Sequence, residues 1–179
     1  MPALNGPAGY GAVTKTLHWL TVLALITQFA VCYGLETVSE WVSGTDDSDA
    51  DEAGVFVHGW IGGGILVLAS VRLIWRWTTP LPPWSERLTA SNRRLESLLE
   101  KVLYVLLFAI PLSGLGLLFL SGEERDVAED VEWQPPYELV DSGLLLAAHI
   151  TGHLLFYVTV AIHIGIAVRR RTLTRMLTS

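Results

Sequence analysis

Four segments of mostly apolar residues constrain the fold of this chain more than any other feature. They lie at about 17–35, 55–77, 98–120 and 143–168. A helix needs roughly 20 apolar residues to cross the hydrocarbon core of a bilayer, so each segment is long enough to span a membrane. Only 17% of the residues are charged, against about 25% in soluble domains. The sequence predicts an all-α membrane protein with four transmembrane helices, in a single domain over residues 1–179.

Lys and Arg residues are segregated to one side of these segments. The loops at 34–54 and 121–142 hold seven and eight acidic residues, and Arg125 is their one base. The other eleven bases lie at the opposite ends of the segments: Lys15, Arg72, Arg76, Arg87, Arg93, Arg94, Lys101, Arg169, Arg170, Arg171 and Arg175. Because cytoplasmic loops carry an excess of Lys and Arg, we expect both termini in the cytoplasm and a bacterial inner-membrane location. The acidic outer loops argue against a nucleic-acid partner and leave membrane lipid as the main environment.

The connections between the four segments are short and contain helix breakers. They include the stretches TDDSDADEAG, TTPLPPW and SGEERDVAEDVEWQPPYE. Short connections place successive helices side by side in opposite directions, so an up-down four-helix bundle is expected. The one cysteine, Cys32, lies in an apolar run, and free cysteine commonly packs as a small hydrophobe. We therefore expect Cys32 to have a packing role.

All five histidines lie in or at the ends of the apolar segments: His18, His58, His149, His153 and His163. Ionisable residues inside a membrane are unfavourable there and usually indicate function. With alternating helix directions, His18 and His163 lie near the cytoplasmic side, and His58 and His149 near the outer side. Fourteen residues separate His149 from His163. On an α-helix this interval is a rise of roughly 21 Å, and the two side chains point in directions that differ by only about 40°. The sequence predicts two layers of facing histidines.

Two facing imidazoles at each of two depths are typical of haem sites in helical bundles. The core is therefore expected to hold two haems, with the four histidines of the two layers as axial ligands. Arg72 follows His58 by fourteen residues, so we expect it level with His163. There it could pair with a haem propionate or, equally, extend its charged end to the membrane interface. Gly62 belongs to the glycine-rich run Gly59–Gly64, which provides either room for a porphyrin or close helix packing.

His153 is an alternative ligand for the outer haem. It lies one turn after His149, and a ligand at His153 would reduce the separation of the layers to about 15 Å. Two stacked haems would then be crowded, so we favour His149. His153 is expected to lie beside a propionate or to carry protons at the outer site.

Several segments together resemble the prokaryotic cytochrome b561 family, which is related to the b-type cytochrome subunits of nickel–iron hydrogenases. They are LHWL around His18, VHGWIGGGILVLASVRLIWRW followed by TTPLPP, LYVLLFAIPLSGLGL, and AAHITGHLLFYVTVAIHIGIAVRRRTLTRML. The resemblance implies two b-type haems, electron exchange with the quinone pool and a quinone as a further candidate ligand. It implies the same four axial ligands. Where some relatives have histidines near the start of the third helix, this chain has Glu96 and Glu100.

Three functions are consistent with these features. The first is a di-haem b-type membrane cytochrome that carries electrons across the inner membrane. The second is a haem-bearing membrane anchor subunit of a larger dehydrogenase or hydrogenase. The third, of a different class, is a proton or metal transporter with a histidine relay, in which His149 and His153 are a candidate metal pair. The electron donor and acceptor, any enzyme activity such as a quinone-linked oxidoreductase, and homodimer formation through a glycine face are left open.

Overall fold

The fold is dominated by four long helices. A computed structural model describes residues 2–7, 9–43, 48–128 and 131–177. Within these ranges, it describes the side chains of all residues except 33–56 and 125–131. The helices are α1 (Ala12–Ser43), α2 (Ser48–Thr78), α3 (Ala90–Phe119), α4 (Ser142–Arg169) and the short α5 (Thr174–Leu177). Between α3 and α4, β1 (Arg125–Ala128) and β2 (Val131–Trp133) form an antiparallel hairpin.

Each long helix contains a segment that is long and apolar enough to cross a membrane. These segments are Ala12–Cys32, Val57–Thr78, Ala90–Phe119 and Ser142–Arg169. In the most apolar part of each segment, at most 22% of the residues are buried inside the protein. Many large apolar side chains of these segments are exposed, among them Leu23, Val67, Val105 and Leu154, as contact with lipid requires. The four transmembrane helices expected from the sequence are confirmed.

Helices α1 and α2 extend further than the sequence predicted. The connection expected over 34–54 is helical up to Ser43 and again from Ser48, and Asp46 and Asp47 lie outside the described residues. Helices of 32 and 31 residues are about 47 Å long, whereas the hydrocarbon core is about 30 Å thick. These two helices therefore continue beyond the bilayer core on the acidic side.

Side-chain caps fix the starts of α3 and α4. The Thr89 hydroxyl accepts a hydrogen bond from the Asn92 backbone N–H at 3.3 Å, and the Asp141 carboxylate accepts one from the Leu144 N–H at 2.8 Å. Both arrangements satisfy backbone donors that a helix N-terminus leaves free. Proline residues 80, 82 and 83 precede α3 and prevent α2 from continuing, since proline lacks the backbone donor.

Contacts between the helices establish the up-down order. At one end, Gln28 of α1 contacts His58 of α2, and His58 faces His149 of α4. At the other end, Arg76 of α2 pairs with Glu100 of α3 at 2.8 Å. Helices α1 and α4 also meet, because the Phe29 and Phe156 ring centres lie 6.0 Å apart. A small apolar core between the two ends consists of Ile65, Ala69, Leu106, Leu107 and Phe156.

Candidate functional site

At one end of the bundle, His58 and His149 lie opposite each other. The centres of their imidazole rings are 6.0 Å apart. Both rings are half-buried and line a cavity of about 170 Å³, whose wall also includes Gly62 and Gly63 of α2. The two histidines predicted to share this layer are therefore close enough to bind one group between them.

His149 is held in place by the third helix. Its Nδ1 atom lies 2.9 Å from the Ile110 carbonyl oxygen and 3.1 Å from the Ser113 hydroxyl. A carbonyl oxygen can only accept, so Nδ1 carries the hydrogen and Nε2 keeps a free lone pair. A Cβ atom at Gly114 would come within 3.1 Å of the His149 ring, so glycine leaves the space that the ring occupies. These contacts were not predicted from the sequence, although the IPLSG stretch that provides them lies within one of the segments that resemble the family.

His58 is contacted by two side chains of α1. The Cys32 Sγ atom lies 2.7 Å from His58 Nδ1, and the Gln28 amide nitrogen lies 2.9 Å from the same atom. Gln28 also donates to the His58 backbone carbonyl at 3.1 Å. Its Oε1 atom is buried without a hydrogen-bond partner in the described part of the chain. Cys32, for which we expected only packing, therefore makes a polar contact with a candidate ligand.

The opposite end of the bundle holds His18, His163 and Arg72. His18 lies within electrostatic range of both His163 and Arg72. The His163 Nδ1 atom lies 2.9 Å from a carboxylate oxygen of Glu96, so Nε2 of this ring also remains available. The Arg72 guanidinium lies over the Tyr104 ring, 5.7 Å from its centre. The structure thus places the residues predicted for the inner layer near one another.

His153 lines the same cavity as His149. Its ring centre is 4.6 Å from that of His149 and 6.4 Å from those of Phe29 and Tyr157. These contacts are between rings, whereas His149 is oriented by a backbone carbonyl. Both histidines are therefore close enough to the cavity to be ligands, but the hydrogen bond to the Ile110 carbonyl favours His149.

The glycine face of α2 borders open space. A Cβ atom at Gly63 would meet nothing within 4 Å, and one at Gly62 would lie 3.7 Å from the Gln28 amide nitrogen. Gly62 is thus in contact with a side chain of α1, whereas no neighbouring helix packs closely against Gly63. Since Gly62 and Gly63 also line the cavity, their arrangement favours room for a flat group against the backbone.

Comparison with known proteins identifies the family. Residues 9–179 match the family described as prokaryotic cytochrome b561. The chain belongs to the prokaryotic cytochrome b561 family. It is also similar to cytochrome b561 homolog 2 of Escherichia coli (strain K12), with 24% identity over 143 residues that cover 80% of this chain and 72% of that relative. The protein is therefore a membrane b-type cytochrome, and this class of protein is consistent with electron transfer.

The geometry of the histidines fits the b-type haem that this family binds. Metal–imidazole bonds of about 2 Å place the centres of two axial rings roughly 6 Å apart, close to the 6.0 Å between His58 and His149. Metal-bound histidines usually donate their other ring N–H to a carbonyl or a carboxylate. His149 has the Ile110 carbonyl in this position, and His163 has the Glu96 carboxylate. The partners of His149 and His163 would therefore suit these histidines to hold a haem.

Proposed function

We propose that this protein is a di-haem cytochrome that passes electrons across the bacterial inner membrane and exchanges them with the quinone pool. The facing pair His58 and His149 carries this proposal, because the ring separation and the anchored Nδ1 of His149 suit axial ligation. His18 and His163 are the proposed ligands of the second haem, at the opposite end of the bundle. Haems in these two layers would divide the electron path across the membrane into steps that are shorter than its full width.

Each proposed role follows from the chemistry of the side chain. Bound haem supplies a one-electron Fe(III)/Fe(II) couple whose potential depends on its axial ligands. Two histidines holding each iron would leave no position for oxygen, which would favour electron transfer over oxygen binding. Arg72 is the candidate partner of an inner haem propionate, and His153 lies where it could contact the outer haem. Gly62 and its neighbours leave room for the porphyrin edge.

The proposed orientation rests on the segregation of Lys and Arg. Both termini and the 78–97 connection lie on the basic side, which the positive-inside rule assigns to the cytoplasm. The layer of His58 and His149 then lies toward the outer side, and that of His18 and His163 toward the cytoplasm. A second copy of the chain is a candidate partner at Gly64, where an added Cβ would meet nothing within 4 Å.

Two alternatives differ in how well the site supports them. The anchor-subunit alternative uses the same haems and differs only in the presence of a soluble subunit. The transporter alternative is disfavoured by the family to which the chain belongs. In the described part of the chain, moreover, no three His, Cys, Asp or Glu side chains converge as a site for a metal ion.

Electron transfer across a bilayer tests the proposal directly. The protein is reconstituted in liposomes that contain ferricyanide, and dithionite is added outside. We expect the haem-loaded wild-type protein to accelerate the loss of ferricyanide absorbance, and His58→Ala, which removes a ligand of one haem, to abolish this acceleration. Equal rates in the two preparations would contradict the proposal. Reduction of the haems by a water-soluble quinol under anaerobic conditions tests the quinone link, and haems that stay oxidised would contradict it.

A further inference from the structure

Glu96 is the only carboxylate that the described part of the chain places on a proposed haem ligand. Its Oε2 atom lies 2.9 Å from His163 Nδ1, between α3 and α4. Its side chain is 11% exposed, whereas that of Glu100, one turn further along α3, is 36% exposed and is paired with Arg76. Glu96 is thus the more buried of the two carboxylates, and its contact is with an imidazole rather than with an arginine.

The proposed ligands of the two haems have different partners on their second ring nitrogen. His149 donates to a neutral backbone carbonyl, and His58 contacts a thiol and an amide. His163 instead contacts a carboxylate. A hydrogen bond from an imidazole to an anion increases the negative charge on the ring and makes it a more basic ligand. A more basic ligand stabilises Fe(III) relative to Fe(II), and the low dielectric of a buried site strengthens the effect.

We propose that Glu96 is a positioning residue that lowers the reduction potential of the inner haem by accepting the Nδ1 hydrogen of His163. The inference rests on the proposed function, since it requires His163 to be an axial ligand. The carboxylate also fixes the rotation of the ring, so that Nε2 is directed away from α3. It thereby makes the two haems electronically different although each has two imidazole ligands.

Glu96→Gln tests this inference, because the amide keeps an oxygen acceptor for His163 but removes the charge. We expect a redox titration of the purified protein to show two midpoints, of which Glu96→Gln raises one and leaves the other in place. Electron paramagnetic resonance should show a changed low-spin signal for one haem. Glu100→Gln is the matched control, since it removes the same charge one turn away, and it should shift the midpoint much less.

Two further variants keep the test decisive. Glu96→Asp retains the charge but retracts it from His163, so it should also raise the same midpoint, and it provides a result if Glu96→Gln loses the inner haem. His149→Ala should remove the outer haem and retain the inner one. When Glu96→Gln is added to this variant, the midpoint of the remaining haem should still rise. If both haems are bound and neither Glu96 variant moves a midpoint, the inference about Glu96 is wrong while the proposed function stands. Retention of both haems in His163→Ala would instead overturn the proposed ligand set.

Discussion

At the scale of single residues, His149 and His153 are the two candidates for one ligand position, and they differ in what orients their rings. The Ile110 carbonyl and the Ser113 hydroxyl hold His149 Nδ1, whereas His153 makes ring contacts with Phe29 and Tyr157. A ligand needs a fixed ring with one free nitrogen, which His149 provides. We therefore predict that the two alanine substitutions have different consequences for haem content.

His149→Ala should reduce the haem content from two per chain to one, because the outer iron loses an axial ligand. His153→Ala should keep both haems and shift the midpoint of one of them slightly. Pyridine haemochrome analysis of the purified variants, normalised to protein, measures the ratio. If His153→Ala loses a haem and His149→Ala does not, the assignment of the outer ligand is wrong.

Sequence reasoning reached the histidines but not the groups that orient them. The fourteen-residue interval between His149 and His163 could be interpreted from helical geometry alone, since both lie on one helix. The contacts of Ile110, Glu96 and Cys32 depend on the rotation of neighbouring helices about their own axes, which no pattern within one segment specifies. The glutamate at 96 was visible only as a departure from some relatives, and its contact with His163 becomes evident from the packing of α3 on α4.

At the scale of helices, α3 and α4 are in tight contact at glycine. Gly152 of α4 is buried, and a Cβ atom there would lie 2.8 Å from the Ile110 side chain. The same contact region includes the carbonyl that holds His149. Gly165 lies on the same helix, is exposed, and would meet nothing within 4 Å. The two glycines therefore form a matched pair for substitution.

Gly152→Ala should destabilise the protein, since overpacking typically costs about 1–3 kcal/mol. Gly165→Ala should leave stability unchanged or raise it by up to about 1 kcal/mol, because alanine favours the helix over glycine. Thermal unfolding in detergent, followed by circular dichroism and by loss of the haem absorbance, measures both. Equal unfolding midpoints would show that the helix contact at Gly152 is not tight.

The extents of the helices were only partly predictable. Hydropathy located the apolar part of each helix but not its continuation into the acidic connection, where α1 ends at Ser43 and α2 begins at Ser48. Acidic residues after a serine are also typical of a helix N-terminus, since they complement the helix dipole. The β1–β2 hairpin was missed because its strands have four and three residues, too few to show an alternating pattern.

At the scale of the whole molecule, the up-down order of the helices explains the arrangement of the histidines. Because α2 and α4 both begin at the same end of the bundle, His58 and His149 meet there, while His18 near the start of α1 and His163 near the end of α4 lie at the other end. A fold with a different order of helices would separate these residues. The central claim is therefore that one chain binds two haems, one in each layer.

Haem stoichiometry tests this claim most directly. The protein is expressed with ample haem supply and purified in detergent, and a reduced-minus-oxidised visible spectrum is recorded together with pyridine haemochrome quantitation per chain. The two layers predict two low-spin b-type haems per chain. A single haem would contradict the assignment of one layer, and absence of haem would contradict the whole account.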